Sequence, residues 1–228
     1  MIDAMKADKS NLTSGTTGLV MREAAFYDFM VWLMTLGRER AFRNKILSLA
    51  HLEPGESVLD VGCGTGSLAI AATGHVGTGG TVIGIDASAE MLARAERKAG
   101  KAGAKVAFKQ AAAQALPFAD AQFDAVLSTV MFHHLPRKAK EQCAQEMRRI
   151  LKPGGRALVV DFAPASQEQN GLLHHFHRHG HVRLGDIIAI LEAAGLTIAE
   201  SGPLGYRNLQ FVLASLSHQG TSRDAPAS

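Results

Sequence analysis

The run Val58-Leu59-Asp60-Val61-Gly62-Cys63-Gly64-Thr65-Gly66 leaves this chain few ways to fold. An apolar stretch carries an aspartate near its end, and glycines then follow at every second position. Ser67-Leu68-Ala69-Ile70-Ala71-Ala72 continues as the opening of a helix. A buried strand that passes through a glycine turn into a helix N-terminus is how open α/β sheets hold nucleotide-like ligands. Glycine lets the backbone approach a ligand closely, and the helix end adds free N–H groups and the positive end of its dipole.

The pattern on either side alternates strand and helix. Strands are expected at Ser57–Val61, Thr81–Asp86, Lys105–Lys109, Phe123–Thr129 and Arg156–Phe162. Helices are expected at Ser67–Thr73, from the Ser88 cap to Gly100, and at Arg137–Leu151. Lys152-Pro153-Gly154-Gly155 is read as the stop of that last helix. A further helix over Arg183–Ala194 ends at Gly195, a C-terminal capping glycine. The runs Leu196–Ser201 and Leu209–Ser215 are joined too closely for a crossover helix, so they should form an antiparallel hairpin. The expectation is an α/β, Rossmann-like, doubly wound sheet of seven strands closed by that hairpin.

At 228 residues the chain fits one domain. Residues 1–20 read as a mobile arm, 21–216 as the domain and 217–228 as a disordered tail. Within the domain, 21–50 forms a helical lid: an aromatic and Met-rich helix at Met21–Leu36, then a second at Glu39–Ala50. The first could lie on a membrane surface, but its polar face carries few basic residues, which favours a lid. Hydrophobic residues make up 46% and charged residues 20%, as in an ordinary globule, and a net charge of +3 makes no case for a nucleic-acid groove. Cys63 and Cys143 have no metal-ligand spacing and do not suggest a disulfide. With neither a signal pattern nor a membrane-length apolar run, a cytoplasmic enzyme without stable membrane insertion is expected.

Several motifs occur together and in order: Val58–Gly66, Asp86 at a strand end, Leu116-Pro117-Phe118, Phe123-Asp124-Ala125-Val126 and Leu151-Lys152-Pro153-Gly154-Gly155. Over roughly 27–162 the chain resembles class I S-adenosylmethionine-dependent methyltransferases, and most of all the ubiquinone/menaquinone-biosynthesis C-methyltransferase-like group. The resemblance implies S-adenosyl-L-methionine as cofactor and a small-molecule acceptor. It implies that Asp60 meets the ammonium of the cofactor's methionine part and that the backbone at Gly62, Cys63, Gly64 and Gly66 lies along that part and the ribose. Asp86 would accept the ribose hydroxyls, Ala87 and Met91 would flank the adenine, and Ser128 would complete the cofactor site. Family members often carry an Asp where Ala112 stands here, so adenine would depend on backbone groups near Ala112 and Ala113. The alternative for Asp60 and Asp86 is that each caps a turn.

In that family the segment Ser128–Pro136 lies beside the transferring methyl. Histidine can act there as a general base for a phenol, an enol or a protonated amine. His133 is the first candidate and His134 the second; either could instead anchor the loop through its ring. Tyr27 and Phe132 are expected against the acceptor. The histidine-rich run 174–181 lacks a nearby carboxylate or Cys to complete a metal shell. It is therefore read as a pocket wall made by His174, His177, Arg178 and His181, with no metal assigned; a solvated helix is the plainer alternative. Two rival functions share the glycine loop: an NAD(P)-dependent oxidoreductase, since Gly64-Thr65-Gly66-Ser67-Leu68-Ala69 fits G-x-G-x-x-A, and a non-catalytic nucleotide-binding module.

Overall fold

A computed structural model describes residues 39–162, 183–206 and 208–217. The arm, the Met21–Leu36 helix, Tyr27, His174, His177, Arg178, His181 and the tail from 218 on lie outside the described residues. The elements run α1 (Glu39–Leu49), β1 (Ser57–Val61), α2 (Ser67–Val76), β2 (Thr81–Asp86), α3 (Ala89–Ala102), β3 (Ala107–Gln110) and β4 (Phe123–Thr129). A 3₁₀ turn (Phe132–His134) follows, then α4 (Arg137–Ile150), β5 (Leu151–Phe162), α5 (Leu184–Ala193), β6 (Thr197–Pro203) and β7 (Leu209–Ser215).

The sheet order is β3-β2-β1-β4-β5-β7-β6. Strands β1 to β5 pair in parallel, whereas β7 pairs antiparallel with both β5 and β6. The seven-stranded α/β sheet and the closing hairpin are thus as expected. Period-two alternation makes it doubly wound. Val58, Ala125, Leu127, Leu158 and Val160 face α1 and α2, while Leu59, Val126, Ala157 and Val159 face α4 and α5. Strands covered on both sides need apolar residues at nearly every position, which explains why they read as continuous runs.

Boundaries moved where a local rule met tertiary pairing. α2 runs to Val76 rather than Thr73, and β3 starts at Ala107 rather than Lys105. The larger shift is at Lys152-Pro153-Gly154-Gly155, which was expected to separate helix from strand. Instead β5 begins at Leu151, opposite Phe123, and the register slips before Arg156 meets Ala125. A bulge of this kind accommodates a proline that cannot donate to the ladder. Gly155 is pressed close there: a Cβ would come within 2.9 Å of the Lys152 carbonyl and 3.0 Å of the Asp124 carbonyl.

The strand order reverses direction between β1 and β4. In open sheets that reversal leaves a crevice at the carboxyl ends of the strands, where ligands bind. Asp60, Asp86, Thr129 and Asp161 all lie at those ends.

Candidate active site

Asp60 is 2% exposed, and its Oδ2 has no hydrogen-bond partner. Burial holds its carboxyl up at about 7, opposed by the Ala69 N–H and reinforced by the charge of Asp86. It lines a cavity with Gly62, Cys63, Thr65, Ser67 and Thr129, closed on one side by Phe42 and Arg43 of α1. Thr129 Oγ1 and the nearby Ser128 Oγ are likewise buried without partners. Such orphaned atoms are uncommon in folded proteins; those of Asp60 and Thr129, on neighbouring strands and lining one cavity, point to polar groups that a ligand brings, whereas Ser128 lies on the other face of β4.

The glycine loop is held from both sides. The Gly62 and Cys63 N–H groups donate to the Ile85 carbonyl at 2.9 and 2.8 Å. Gly64 N–H donates to Asp86 Oδ2 at 2.9 Å, while the other oxygen of Asp86 accepts from Ser88 N–H at 2.8 Å. Burial raises the Asp86 carboxyl above its ordinary range, against these N–H donors. Gly62 needs its lack of side chain twice over: its φ is +74°, and a Cβ would meet Met131 Cγ at 2.5 Å. Ser88 caps α3, accepting from Met91 N–H at 3.3 Å. Gln110 Nε2 donates to the Ala87 carbonyl at 2.8 Å, which ties β3 to the turn after β2.

Beyond β4 the backbone bends sharply. Val130 sits at φ +55° and donates its N–H to the Val160 carbonyl at 2.7 Å. A left-handed conformation is costly for a β-branched residue, about 1–3 kcal/mol. The bend lays Met131 against Gly62 and carries His133 to Asp161 of β5, with 2.7 Å between His133 Nδ1 and Asp161 Oδ1. The His134 ring lies 3.9 Å from that of His133, and burial together with the neighbouring ring pushes His134 down to about 4. At neutral pH it is therefore uncharged and a weak base.

Comparison with known proteins agrees with this arrangement. Residues 58–155 match a family model described as a methyltransferase domain. The chain is 34% identical over 190 residues, covering 82% of it and 73% of the relative, to a ubiquinone/menaquinone biosynthesis C-methyltransferase of Xanthomonas axonopodis pv. citri. It is 36% identical over 148 residues to a demethylmenaquinone methyltransferase of Thermus thermophilus, covering 65% of this chain and 66% of that one. In fold it is similar to a SAM-dependent methyltransferase of Aquifex aeolicus, with TM-score 0.69 and 22% identity over 86% of this chain and all of the other.

The chain belongs to the class I S-adenosylmethionine-dependent methyltransferases.

Its reaction is methyl transfer from S-adenosylmethionine, and neither the oxidoreductase reading nor the inert-module reading gains support from these relatives. The residues present suit the cofactor. A buried carboxylate oxygen without a partner, lining a cavity at the glycine turn, matches a ligand with an ammonium group. Asp60, Gly62, Cys63, Gly64, Gly66, Asp86 and Ser128 gather at one edge of the sheet. Ala87 and Met91 follow at the start of α3, and Ala112–Ala113 lie just past β3, where the Ala111 N–H donates to the Asp86 carbonyl at 3.1 Å.

One expectation changes. Phe132, expected against the acceptor, has no exposed surface and packs in the core, so its ring supports the loop from beneath. At Cys63, where only the backbone was expected to serve, burial and two nearby carboxylates raise the thiol far above the ordinary range, leaving it unreactive.

Three residues escaped sequence reasoning. Thr129 lines the cavity, Asp161 holds His133, and Lys98 of α3 donates to Thr65 Oγ1 at 2.9 Å and Ser67 Oγ at 2.8 Å, bracing the end of the glycine loop. Lys98 was detectable: it follows Met91 and Ala95 at helical spacing, a lysine on the edge of an apolar stripe. Among the described residues no group of His, Cys, Asp and Glu could hold a metal ion, and no helix is long and apolar enough to cross a membrane.

Proposed function

We propose that the acceptor is a small hydroxyaromatic molecule of the quinone-precursor kind, and that His133 takes its proton as the methyl group arrives. The observation that carries this reading is a partnered imidazole at the same sheet edge as the Asp60 cavity. Likeness to C-methyltransferases of quinone biosynthesis supports the acceptor class. Bound S-adenosylmethionine supplies an electrophilic methyl on a sulfonium. Asp60 holds the ammonium of that ligand, the Gly62–Gly66 backbone follows its chain, and Asp86 accepts the ribose hydroxyls. Ala87 and Met91 flank the adenine, with backbone groups near Ala112 and Ala113 on its edge and Ser128 facing the methionine part. His133, rather than the weakly basic His134, removes the proton.

Tyr27, His174, His177 and Arg178 belong to the acceptor side of this reading, and a cytoplasmic location goes with it. The test is an assay with isotope-labelled cofactor against a reduced short-chain demethylmenaquinone, simple phenols, amines and thiols. Methylation of hydroxyaromatics that His133→Ala lowers at least tenfold is the expected result. Turnover confined to amines or thiols would overturn the acceptor class, and full turnover by His133→Ala would overturn the base.

A further inference from the structure

Asp161 closes β5 with no exposed surface, and both of its oxygens are engaged by the loop that follows β4 or by its own strand end. Oδ1 lies 2.7 Å from His133 Nδ1 and accepts the Phe162 N–H at 2.6 Å. Oδ2 accepts the backbone N–H of His133 at 3.0 Å. One carboxylate thus grips both the ring and the backbone of the same histidine. Since an ionised carboxylate only accepts, the ring nitrogen facing it carries the hydrogen, and a neutral ring keeps its lone pair on Nε2. The Phe162 ring stands edge-on at 5.4 Å between centroids, and the His134 ring is tilted by 44° on another side. Ring plane and tautomer are both set. Among the described residues, Lys140 of α4 interacts electrostatically with Asp161 and with Asp186 of α5, and the uncharged His134 ring lies beside that of His133.

We infer that Asp161 is a positioning residue for methyl transfer: it aims the His133 ring and holds it in the tautomer whose Nε2 can receive the acceptor's proton. The inference rests on the reading of His133 as general base. In the step, an electron pair of the acceptor forms the bond to the methyl carbon as the carbon–sulfur bond breaks and leaves its pair on sulfur. The acceptor's proton passes to Nε2. The resulting imidazolium keeps its Nδ1–H on Asp161, whose negative charge stabilises it, and the proton then leaves to water. Proximity within the loop alone would not require a buried carboxylate at the ring; a purely structural tie needs only the backbone N–H.

Asp161→Asn is the informative variant, because an amide cannot accept from all three donors: with its oxygen on the His133 backbone N–H, its NH₂ group faces Nδ1 at the expense of the bond from the Phe162 N–H. That arrangement moves the ring hydrogen to Nε2 and removes the base. ¹⁵N NMR of histidine-labelled protein should show Nδ1–H at His133 in the wild type and Nε2–H in Asp161→Asn. With the reduced short-chain demethylmenaquinone or the most active phenol, kcat should fall on the order of 100-fold while the KM for S-adenosylmethionine stays within about threefold. Asp161→Glu should recover part of the loss, and Asp161→Asn combined with His133→Ala should be no slower than His133→Ala alone.

The two readings fail differently. Normal turnover in His133→Ala removes the base whatever Asp161 does. A large loss in His133→Ala with full kcat in Asp161→Asn removes only the positioning role. A wild-type spectrum with the hydrogen on Nε2 overturns the inference with no variant and no acceptor required.

Discussion

The two ends of the parallel sheet are built to opposite rules. At the N-terminal end, the Arg156 guanidinium binds Glu56 through two parallel hydrogen bonds of 2.8 and 2.7 Å and also donates to the Ala50 carbonyl at 2.6 Å. Asp124 there accepts from the Ser57 N–H at 2.8 Å and from Lys152 Nζ at 2.7 Å, which holds its carboxyl below the ordinary range despite the cost of burial. At the C-terminal end, Asp60 Oδ2, Ser128 Oγ and Thr129 Oγ1 are buried without partners, and Val130 is held in a left-handed conformation. The same strands thus end in a saturated polar network on one side and an unsatisfied one on the other. Stability is concentrated where no ligand goes; the deficit sits where a ligand's own polar groups can fill it.

The sharpest way to break this contrast is Asp60→Asn. Losing a charge-assisted contact to a buried ammonium should weaken S-adenosylhomocysteine binding about 100-fold in calorimetry. The same change should raise the melting temperature of the ligand-free protein at pH 8 by about 5 °C, since it removes a buried charge that lacks a partner. Affinity retained, or stability lost, would mean that the orphaned oxygen is not reserved for the ligand.

At the saturated end the signs reverse. Arg156→Ala leaves Glu56 without its cationic partner, with only the Glu53 N–H as donor, and strips the Ala50 carbonyl of its bond; it should cost about 3 kcal/mol of stability in urea unfolding. Its effect on cofactor affinity should be less than about threefold. A variant that loses binding but not stability would erase the division between the ends.

A pH series distinguishes two groups at the ligand end. The Asp60 carboxyl lies at about 7 in the folded chain against 3.8 when unfolded, so its contribution to stability is full below about pH 4 and is lost as pH rises toward and through 7. His134, pushed down to about 4 from 6.5, has the opposite sign: its contribution is present above 6.5 and is lost as pH falls toward 4. Subtracting the Asp60→Asn melting curve from the wild-type curve isolates the first, with a difference that grows between pH 4 and 7. Cofactor affinity should rise over the upper part of that window as the carboxylate ionises. A flat difference would place the Asp60 carboxyl in its ordinary range.

Smaller effects test the packing beside the loop. Gly66→Ala puts a Cβ within 2.7 Å of Phe108 Cζ and 2.8 Å of Ala95 Cβ at φ +75°, and should cost about 2 kcal/mol. Gly74, exposed in α2 with nothing within 4 Å of its Cβ position, should gain about 0.5–1 kcal/mol on replacement by Ala. Equal effects at the two sites would mean that contact with the ligand loop sets no special demand.

How much of this was legible follows from how local each signal is. The strands, the glycine turn and the Ser88 cap are written within a few consecutive residues, so they could be read directly. So could the closing hairpin, because its connection is too short for a crossover. The Pro153-Gly154-Gly155 segment misled because a stop signal for a helix is also a tolerated bulge in a strand, and only pairing with β4 decides between them. The partners of site residues were invisible for a plainer reason. Asp161 is 28 positions from His133, Lys98 is 33 from Thr65, and Glu56 is 100 from Arg156. No periodicity reports contacts at such separations.

By itself, then, the sequence determined the alternating fold, the glycine loop and the cofactor family, because each depends on spacing along the chain. The tertiary structure decided which of two adjacent histidines has a carboxylate partner, which carboxylate keeps an empty oxygen, and that Phe132 faces the core. Those outcomes depend on burial and on atoms brought together across the sheet, where the low polarity of the interior makes a paired group stable and an unpaired one reactive toward a ligand.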